Sequence, residues 1–316
     1  MSAVPVVSVI IPCYNKARFV GEAIESALSQ TYPHVEVIAV DDGSTDETPD
    51  VIRSFGDRVV FLQQRNRGTS AARQLALERA SGELIGLLDH DDRWLPHKLE
   101  RQAPLFSDPE VAIVTGPYYV MNEAGERLRE SAPPDPDRFG VHEWKRENHI
   151  GTNNTMFRRD AALNAGGFDP TIRGCDDWDL WVRIADQYRT VCLDEPLAEY
   201  RSFPEQLSRH GELMYANRIR VLRKLRRMHP GCDACERAYQ DGVQIARAKL
   251  RGYVREVCAA GFAAYERGDW REAWYHYRRA IRAWPGLLRD VGLLRVLASL
   301  AKRSMVGMPK INEDKG

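Results

Sequence analysis

The feature that most restricts this chain is an alternation, repeated through its first ninety residues, between β-branched apolar runs and amphipathic stretches. Residues 6–11, 35–40, 59–63 and 83–88 read as strands, apolar nearly throughout, as strands buried on both faces must be. Between them, residues 20–29, 47–55 and 69–80 read as helices. Strand–helix–strand units of this length need crossover connections, which set the strands parallel and put helices on both faces of the sheet. The expected fold class is therefore α/β.

In such a sheet, ligands bind beyond the carboxyl ends of the strands. Four loops lie there: Pro12-Cys13-Tyr14-Asn15, Asp41-Asp42 running into Gly43-Ser44-Thr45-Asp46, Asn66-Arg67-Gly68-Thr69, and Asp89-His90-Asp91-Asp92. Topology alone brings them to one crevice. Asp89, Asp91 and Asp92 follow directly on a buried strand, and carboxylates so crowded repel one another unless a cation or hydrogen bonds compensate. Hard oxygen ligands suit Mn2+ or Mg2+, which keep positions for water and substrate phosphates. Asp92 has a simpler role to hand, as a helix cap ahead of Trp94-Leu95-Pro96. A carboxylate of Asp41-Asp42 can accept the imino N–H of a base such as uracil, whereas Ser44 and Asp46 are expected to cap the next helix. Arg73, about one turn into the third helix, is placed to reach a diphosphate or a base. A second acidic cluster, Asp176-Asp177-Trp178-Asp179, begins a helix, where the helix dipole favours carboxylates. The functional alternative makes one of them a general base across the crevice from the metal.

Beyond residue 94 the pattern is mixed. Residues 111–115 and 151–158 read as strands, 160–165 and 177–188 as helices, and the Pro- and Asp-rich 131–139 as a mobile loop. From residue 213 the pattern is helical. Residues 261–285 have the spacing of one tetratricopeptide-like helix pair, and a single such unit needs neighbours to cover its face. The expected organisation is a catalytic domain over 1–209, a basic helical region over 210–305 and a disordered tail over 306–316.

The formal net charge of zero hides an asymmetry. Residues 1–210 hold 23 Lys+Arg against 34 Asp+Glu, a net of −11; residues 211–316 hold 22 against 11, a net of +11. The basic helices have two outlets: an anionic membrane surface, or packing against protein, including a second copy of the chain. Trp284-Pro285-Gly286-Leu287-Leu288-Arg289 and Leu293-Leu294-Arg295-Val296-Leu297 mix bulky apolar residues with Arg and suit either. A nucleic-acid partner is not expected. The N-terminal apolar run has no charged leader, and no stretch reaches about 18 apolar residues, so the expected location is cytoplasmic, with peripheral attachment at the inner face of a membrane as the further option. Six cysteines in 316 residues do not read as a disulfide framework. Cys232 and Cys235 have CxxC spacing, but no second Cys/His pair with finger-like spacing follows, so ordinary reduced cysteines in a helical segment are expected ahead of a zinc site.

Five strings, taken in order, resemble glycosyltransferase family 2, the inverting group with the GT-A fold. They are Val7-Ser8-Val9-Ile10-Ile11-Pro12-Cys13-Tyr14-Asn15; Val40-Asp41-Asp42-Gly43-Ser44-Thr45-Asp46; Asn66-Arg67-Gly68 with Ala72-Arg73; Gly82-Glu83-Leu84-Ile85 with Leu88-Asp89-His90-Asp91-Asp92; and Gly166-Gly167-Phe168-Asp169 followed by Asp176-Asp177-Trp178-Asp179-Leu180-Trp181. The resemblance covers residues 7 to about 200. It implies a Rossmann-like mixed sheet with helices on both faces, followed here by a C-terminal helical region. It also implies transfer of a sugar from a nucleotide diphosphate, most simply a UDP-sugar, to a hydroxyl on a glycan or lipid-linked acceptor. Pro12, Tyr14, Asn15 and Asp42 resemble nucleoside-binding positions. Arg73 resembles the arginine near base and diphosphate. Asp89, with His90 beside it, resembles the ribose-side start of the DXD motif, and Asp91 its metal-holding end. Asp177 resembles the catalytic base, with Asp176 and Trp178 on the acceptor side. Asp176 stands where the family commonly has Glu. The string Tyr200-Arg201-Ser202-Phe203-Pro204 lacks the His the family tends to place there, which leaves a third metal ligand from that loop in doubt.

Two other classes compete. A nucleotidyltransferase also combines an α/β fold with acidic metal ligands, but it calls for a Gly-rich phosphate loop after the first strand, and Pro12-Cys13-Tyr14-Asn15-Lys16 has no glycine. A non-catalytic binding module would make the helix pair the active part, against which stand two intact acidic clusters.

Overall fold

The computed structural model describes residues 4–135, 140–203 and 206–289. Of the expected features, the tail over 306–316, Leu293-Leu294-Arg295-Val296-Leu297, residues 136–139 of the Pro-rich loop and Pro204 lie outside the described residues.

The expected strands form: β1 (Val7–Cys13), β2 (Val35–Asp41), β3 (Val60–Gln63) and β4 (Leu84–Leu87). They alternate with α1 (Ala17–Leu28), α2 (Thr48–Arg53) and α3 (Thr69–Arg79). Every residue of β1 is buried, which explains its unbroken apolar character. In α1, Phe19, Val20, Ala23, Ile24 and Ala27 make one buried stripe against the sheet, as helical periodicity requires.

After β5 (Arg93–Trp94) and α4 (Lys98–Gln102) come β6 (Val111–Thr115), β7 (Tyr119–Met121), β8 (Arg127–Glu130) and α5 (Val141–Arg146). Then follow β9 (Met156–Arg158), α6 (Arg159–Asn164), α7 (Asp176–Ala185), β10 (Arg189–Cys192) and β11 (Ala198–Arg201). The main sheet has the order β10-β6-β9-β4-β1-β2-β3. β1 pairs in parallel with β2 and β4, and β2 with β3, whereas β9 runs antiparallel to both β4 and β6. The sheet is thus mixed. The strand order reverses at β1, where successive units go first to β2 and β3 and then return to β4 on the other side. A crevice opens at the carboxyl ends where an order reverses in this way.

Two local readings are corrected. Residues 151–158 are not one strand: Thr152–Asn154 is a 3-10 turn, and only Met156–Arg158 joins the sheet. A second sheet, β5-β11-β7-β8, has strands too short and too irregular in pattern to announce themselves. Gly86 in β4 shows how tightly β4 is covered: a Cβ there would lie 2.5 Å from the Trp94 ring.

The chain divides into two compact units. One comprises 1–209 with 217–243, and the other 210–216 with residues from 244 onward. Helix α8 spans Gly211–Arg226 and α9 Asp233–Glu266. Within the second unit α9 turns at Gly268, in the left-handed region at φ 80°, into α10 (Trp270–Ala283). Asp269 caps α10 by accepting the Glu272 N–H at 3.0 Å, and Ala264, Ala273 and Tyr277 pack together.

Candidate functional site

The four loops at the carboxyl ends of β1–β4 are joined to one another in a chain of hydrogen bonds. His90, after β4, lies with Nδ1 2.6 Å from the Pro12 carbonyl. A carbonyl only accepts, so Nδ1 carries the proton. Asn15, after β1, takes φ 49°, the only positive φ outside glycine among the described residues. Its N–H donates to Ser44 Oγ at 2.9 Å and its Oδ1 accepts the Thr45 N–H at 2.8 Å. Short amide side chains that bond locally tolerate this backbone. Asp42, after β2, accepts the N–H groups of Arg67 and Gly68, both at 2.8 Å, and Gln64 Nε2 at 2.7 Å. Fully buried Asp41 accepts Gln63 Nε2 at 3.0 Å. Tyr14 projects outward, 41% exposed.

Arg73 closes the arrangement. Its two terminal nitrogens part, one to Asp89 Oδ1 at 2.7 Å and the other to Asp176 Oδ2 at 2.9 Å. It lies on α3 behind Gly68, whose φ of 91° opens the helix. The end of β4 and the first turn of α7 therefore meet on one buried guanidinium. Burial alone would lower the affinity of Arg73 for its proton, but Asp176, Asp89 and Asp177 more than reverse this, and it stays charged. Burial pushes the Asp176 carboxyl up, with Arg73 pulling it back and Asp177 pushing further upward. Next to it, Asp177 Oδ2 accepts from Thr152 Oγ1 at 2.5 Å, leaving Oδ1 with no partner among the described residues.

The carboxylates after β4 differ sharply. Asp91 is half-buried, and its side chain makes no hydrogen bond or ion pair among the described residues; only its carbonyl is engaged, by Arg201 Nε at 2.8 Å. Asp92 is buried and does not cap a helix as expected. Its Oδ1 accepts the Arg201 N–H at 2.8 Å and its Oδ2 has no partner among the described residues, while α4 begins later, at Lys98. Burial first, then Asp91 and Asp89, raise its carboxyl well above the ordinary range. The Cys13 thiol is raised by burial, Asp41 and Asp89, and stays neutral. Ser44 also departs from its expected cap, bonding Asn15 instead, whereas Asp46 receives both the Thr48 and Ala17 N–H groups. In the second cluster, Asp179 is held by Arg183 and Lys224 at 2.6 and 2.9 Å and is a packing residue. Trp178 is buried, its indole N–H donating to the Trp144 carbonyl at 2.7 Å.

Two residues at this site carry no local signal in the sequence. Thr152 stands in the 3-10 turn misread as strand. Arg173 is exposed beside Gly68 at the start of α3, and its guanidinium makes no hydrogen bond or ion pair among the described residues. A cation there, like the helix N-terminus, favours an anion.

Residues 8–166 match the family described as glycosyl transferase family 2. TuaG of Bacillus subtilis (strain 168), named as a candidate teichuronic acid biosynthesis glycosyltransferase, is 31% identical over 232 residues, covering 71% of this chain and 90% of its own. An uncharacterized glycosyltransferase of Rickettsia felis is 39% identical over 133 residues, 41% of this chain; the match spans only 22% of that longer protein. Among solved structures, the mannosyltransferase PcManGT from Pyrobaculum calidifontis, in complex with GDP-Man and Mn2+, superposes with a TM-score of 0.60 at 19% identity, over 92% of this chain and 89% of its own. At that identity the likeness is one of fold.

Proposed function

The chain belongs to glycosyl transferase family 2 and has its GT-A fold, and on that premise we propose that it is an inverting glycosyltransferase moving a sugar from a nucleotide-diphosphate donor to an acceptor hydroxyl. The observation that carries this reading is the Arg73 clamp, which joins the nucleotide-side carboxylate Asp89 to Asp176, next to the free oxygen of Asp177.

In this reading Pro12, Tyr14, Asn15 and Asp42 frame the nucleoside. Asp42 has most of its acceptor capacity engaged by its own loop, so a base N–H takes a remaining lone pair. Asp89 and His90 lie toward the ribose, and Arg73 fixes Asp89 for that contact. Arg173 and the start of α3 face the diphosphate. Asp177 Oδ1 takes the proton of the acceptor hydroxyl as that oxygen attacks the anomeric carbon, while Thr152 holds the other carboxylate oxygen. The C–O bond to the nucleoside diphosphate breaks on the opposite face, and the configuration inverts. Asp176 and Trp178 serve the acceptor side by fixing the first turn of α7. Asp91, the one carboxylate of its cluster without a partner among the described residues, fits a hard divalent cation such as Mn2+ or Mg2+. Such an ion would neutralise charge on the departing diphosphate.

The acceptor is proposed to be a glycan or a lipid-linked saccharide. No helix among the described residues is long and apolar enough to cross a membrane. Peripheral contact through the basic helices, or pairing of two chains through them, belongs to the same proposal, and flotation with anionic liposomes tests the first. The enzymatic reading is tested by incubating the protein with UDP- and GDP-sugars, with and without Mn2+ or Mg2+, and measuring the nucleotide released. Release of nucleoside diphosphate supports it. Pyrophosphate would make the chain a nucleotidyltransferase, and release of neither across the panel would leave it a binding module.

A further inference from the structure

A group of side chains used nowhere in that mechanism lies in the first unit. Cys232 and Cys235 flank the start of α9, His229 stands three positions before Cys232, and His142 arrives from α5. The ligand atoms of His142, Cys232 and Cys235 all lie within 4.8 Å of one another. Cys235 Sγ is 3.5 Å from Nδ1 of His142 and 3.5 Å from Nδ1 of His229. A tetrahedral zinc with bonds of about 2.3 Å to sulfur and about 2.0–2.1 Å to nitrogen has S···N edges of about 3.6 Å. These two separations are of that size, and the mutually close group comprises His142, Cys232 and Cys235, with His229 beside Cys235 and able to complete it by moving inward.

The surroundings also suit a metal. His229 Nε2 lies 3.0 Å from Asp186 Oδ2, and a carboxylate on the outer ring nitrogen fixes the tautomer that leaves Nδ1 as a donor of electrons. The Cys235 N–H donates to Cys232 Sγ at 3.4 Å. Lys145, only 2% exposed, reaches Cys235 Sγ at 3.3 Å and His229 Nδ1 at 3.0 Å, so it occupies lone pairs that a metal would take and must give way on binding. Two thiolates balance the charge of Zn2+. All six cysteines are free, so the pair is not withdrawn into a disulfide.

We propose that His142, His229, Cys232 and Cys235 form a closed structural zinc site, built from none of the residues of the sugar-nucleotide crevice. Binding releases the two thiol protons to solvent and draws His229 Nδ1 inward past Lys145, which then donates to the Cys235 thiolate from outside. The site ties residues 229–235 to α5. Trp144, two positions after His142 in α5, offers the carbonyl that receives the Trp178 indole beside Asp177. Zinc thus holds the support of the α7 first turn and takes no part in the reaction.

The test uses the full chain. It is exchanged into zinc and desalted for metal analysis, and separately loaded with Co2+ for absorption spectroscopy. The expected result is one zinc per chain, and thiolate-to-cobalt charge-transfer bands with intense tetrahedral d–d bands. Both are lost in the Cys232→Ser/Cys235→Ser double variant and kept in Cys192→Ser. Zinc is also expected to slow alkylation of two thiols in the unmodified protein, a readout that requires no variant to fold. Failure to retain zinc, cobalt spectra without thiolate bands, or thiols alkylated equally fast with and without zinc would overturn the site. In that case the cluster is a Lys145-centred hydrogen-bond network. None of these readouts depends on glycosyl transfer.

Discussion

Arg73 and Asp176 are 103 positions apart in the chain and share a 2.9 Å charge-assisted hydrogen bond, with Arg73 5% exposed and Asp176 fully buried. Removing one partner of such a pair leaves a buried charge uncompensated. Arg73→Ala is therefore expected to destabilise the protein by about 3–5 kcal/mol. Adding Asp176→Asn should recover part of that loss, because the stranded charge is gone. Urea unfolding of the two single variants and the double variant measures the coupling. Additive losses would mean that the pair does not act as a unit. Lysine is a poor substitute, since one nitrogen would have to reach both carboxylates that the two separate guanidinium nitrogens reach from a planar fork.

Asp177→Asn keeps the shape of the carboxylate and its bond from Thr152 but removes the base. Transfer to acceptor is expected to fall by about 10²–10⁴-fold while the affinity for nucleoside diphosphate is unchanged. Isothermal titration beside a transfer assay separates the two. Near-normal transfer would remove Asp177 from the role. Thr152→Val, which frees Asp177 Oδ2, should lower kcat with little change in donor KM.

Asp91 differs from its neighbours in having no partner for its carboxylate among the described residues. Asp91→Asn is expected to fold normally, since no contact is lost, and to lose the Mn2+-dependent part of nucleotide binding. In a thermal-shift series the unmodified protein should gain Tm with UDP or GDP plus Mn2+, and the variant should not. An unchanged Mn2+-dependent gain would exclude it as a ligand.

Asp169 carries a pH dependence. Partial burial alone would raise its carboxyl, but the Lys224 ammonium at 2.8 Å, together with the Thr171 hydroxyl and N–H, holds it at about 2. Its folded value lies below the ordinary carboxylate value of about 3.9, so the unfolded chain binds the proton more readily. The stabilisation is fully present above that ordinary value and is lost as pH falls through about 2. The stability gap between the unmodified protein and Asp169→Asn should be constant above about pH 5 and shrink below about pH 4. Unfolding free energies at stepped pH test this, and a gap that widens on acidification would reverse the assignment.

The legible part of this protein is what short-range pattern encodes. β1 to β4 are written in runs of apolar residues, and their order places Pro12, Asp42, Gly68 and Asp89 at one end of the sheet before any contact is known. The physical reason is that strand and helix periods repeat within a few residues and that crossover connections have one hand. The acidic clusters at Asp89-His90-Asp91 and Asp176-Asp177 were visible for the same reason, as polar residues abutting a buried strand and a helix start.

What each carboxylate does was decided only by folding, because partners come from far along the chain. Asp92 looked like a helix cap and is instead a buried acid on Arg201. Asp89 and Asp91 differ by two positions, yet one is bound to Arg73 and the other has no side-chain partner among the described residues. Thr152, Arg173 and the approach of His142 to Cys235 have no local signature, since a side chain's partners are set by the packing of remote elements. The chain itself thus determines the sheet and the end at which chemistry can occur. Tertiary packing determines which acids are neutralised, which oxygen stays open, and where a buried charge finds its partner, because desolvation and pairing depend on neighbours in space.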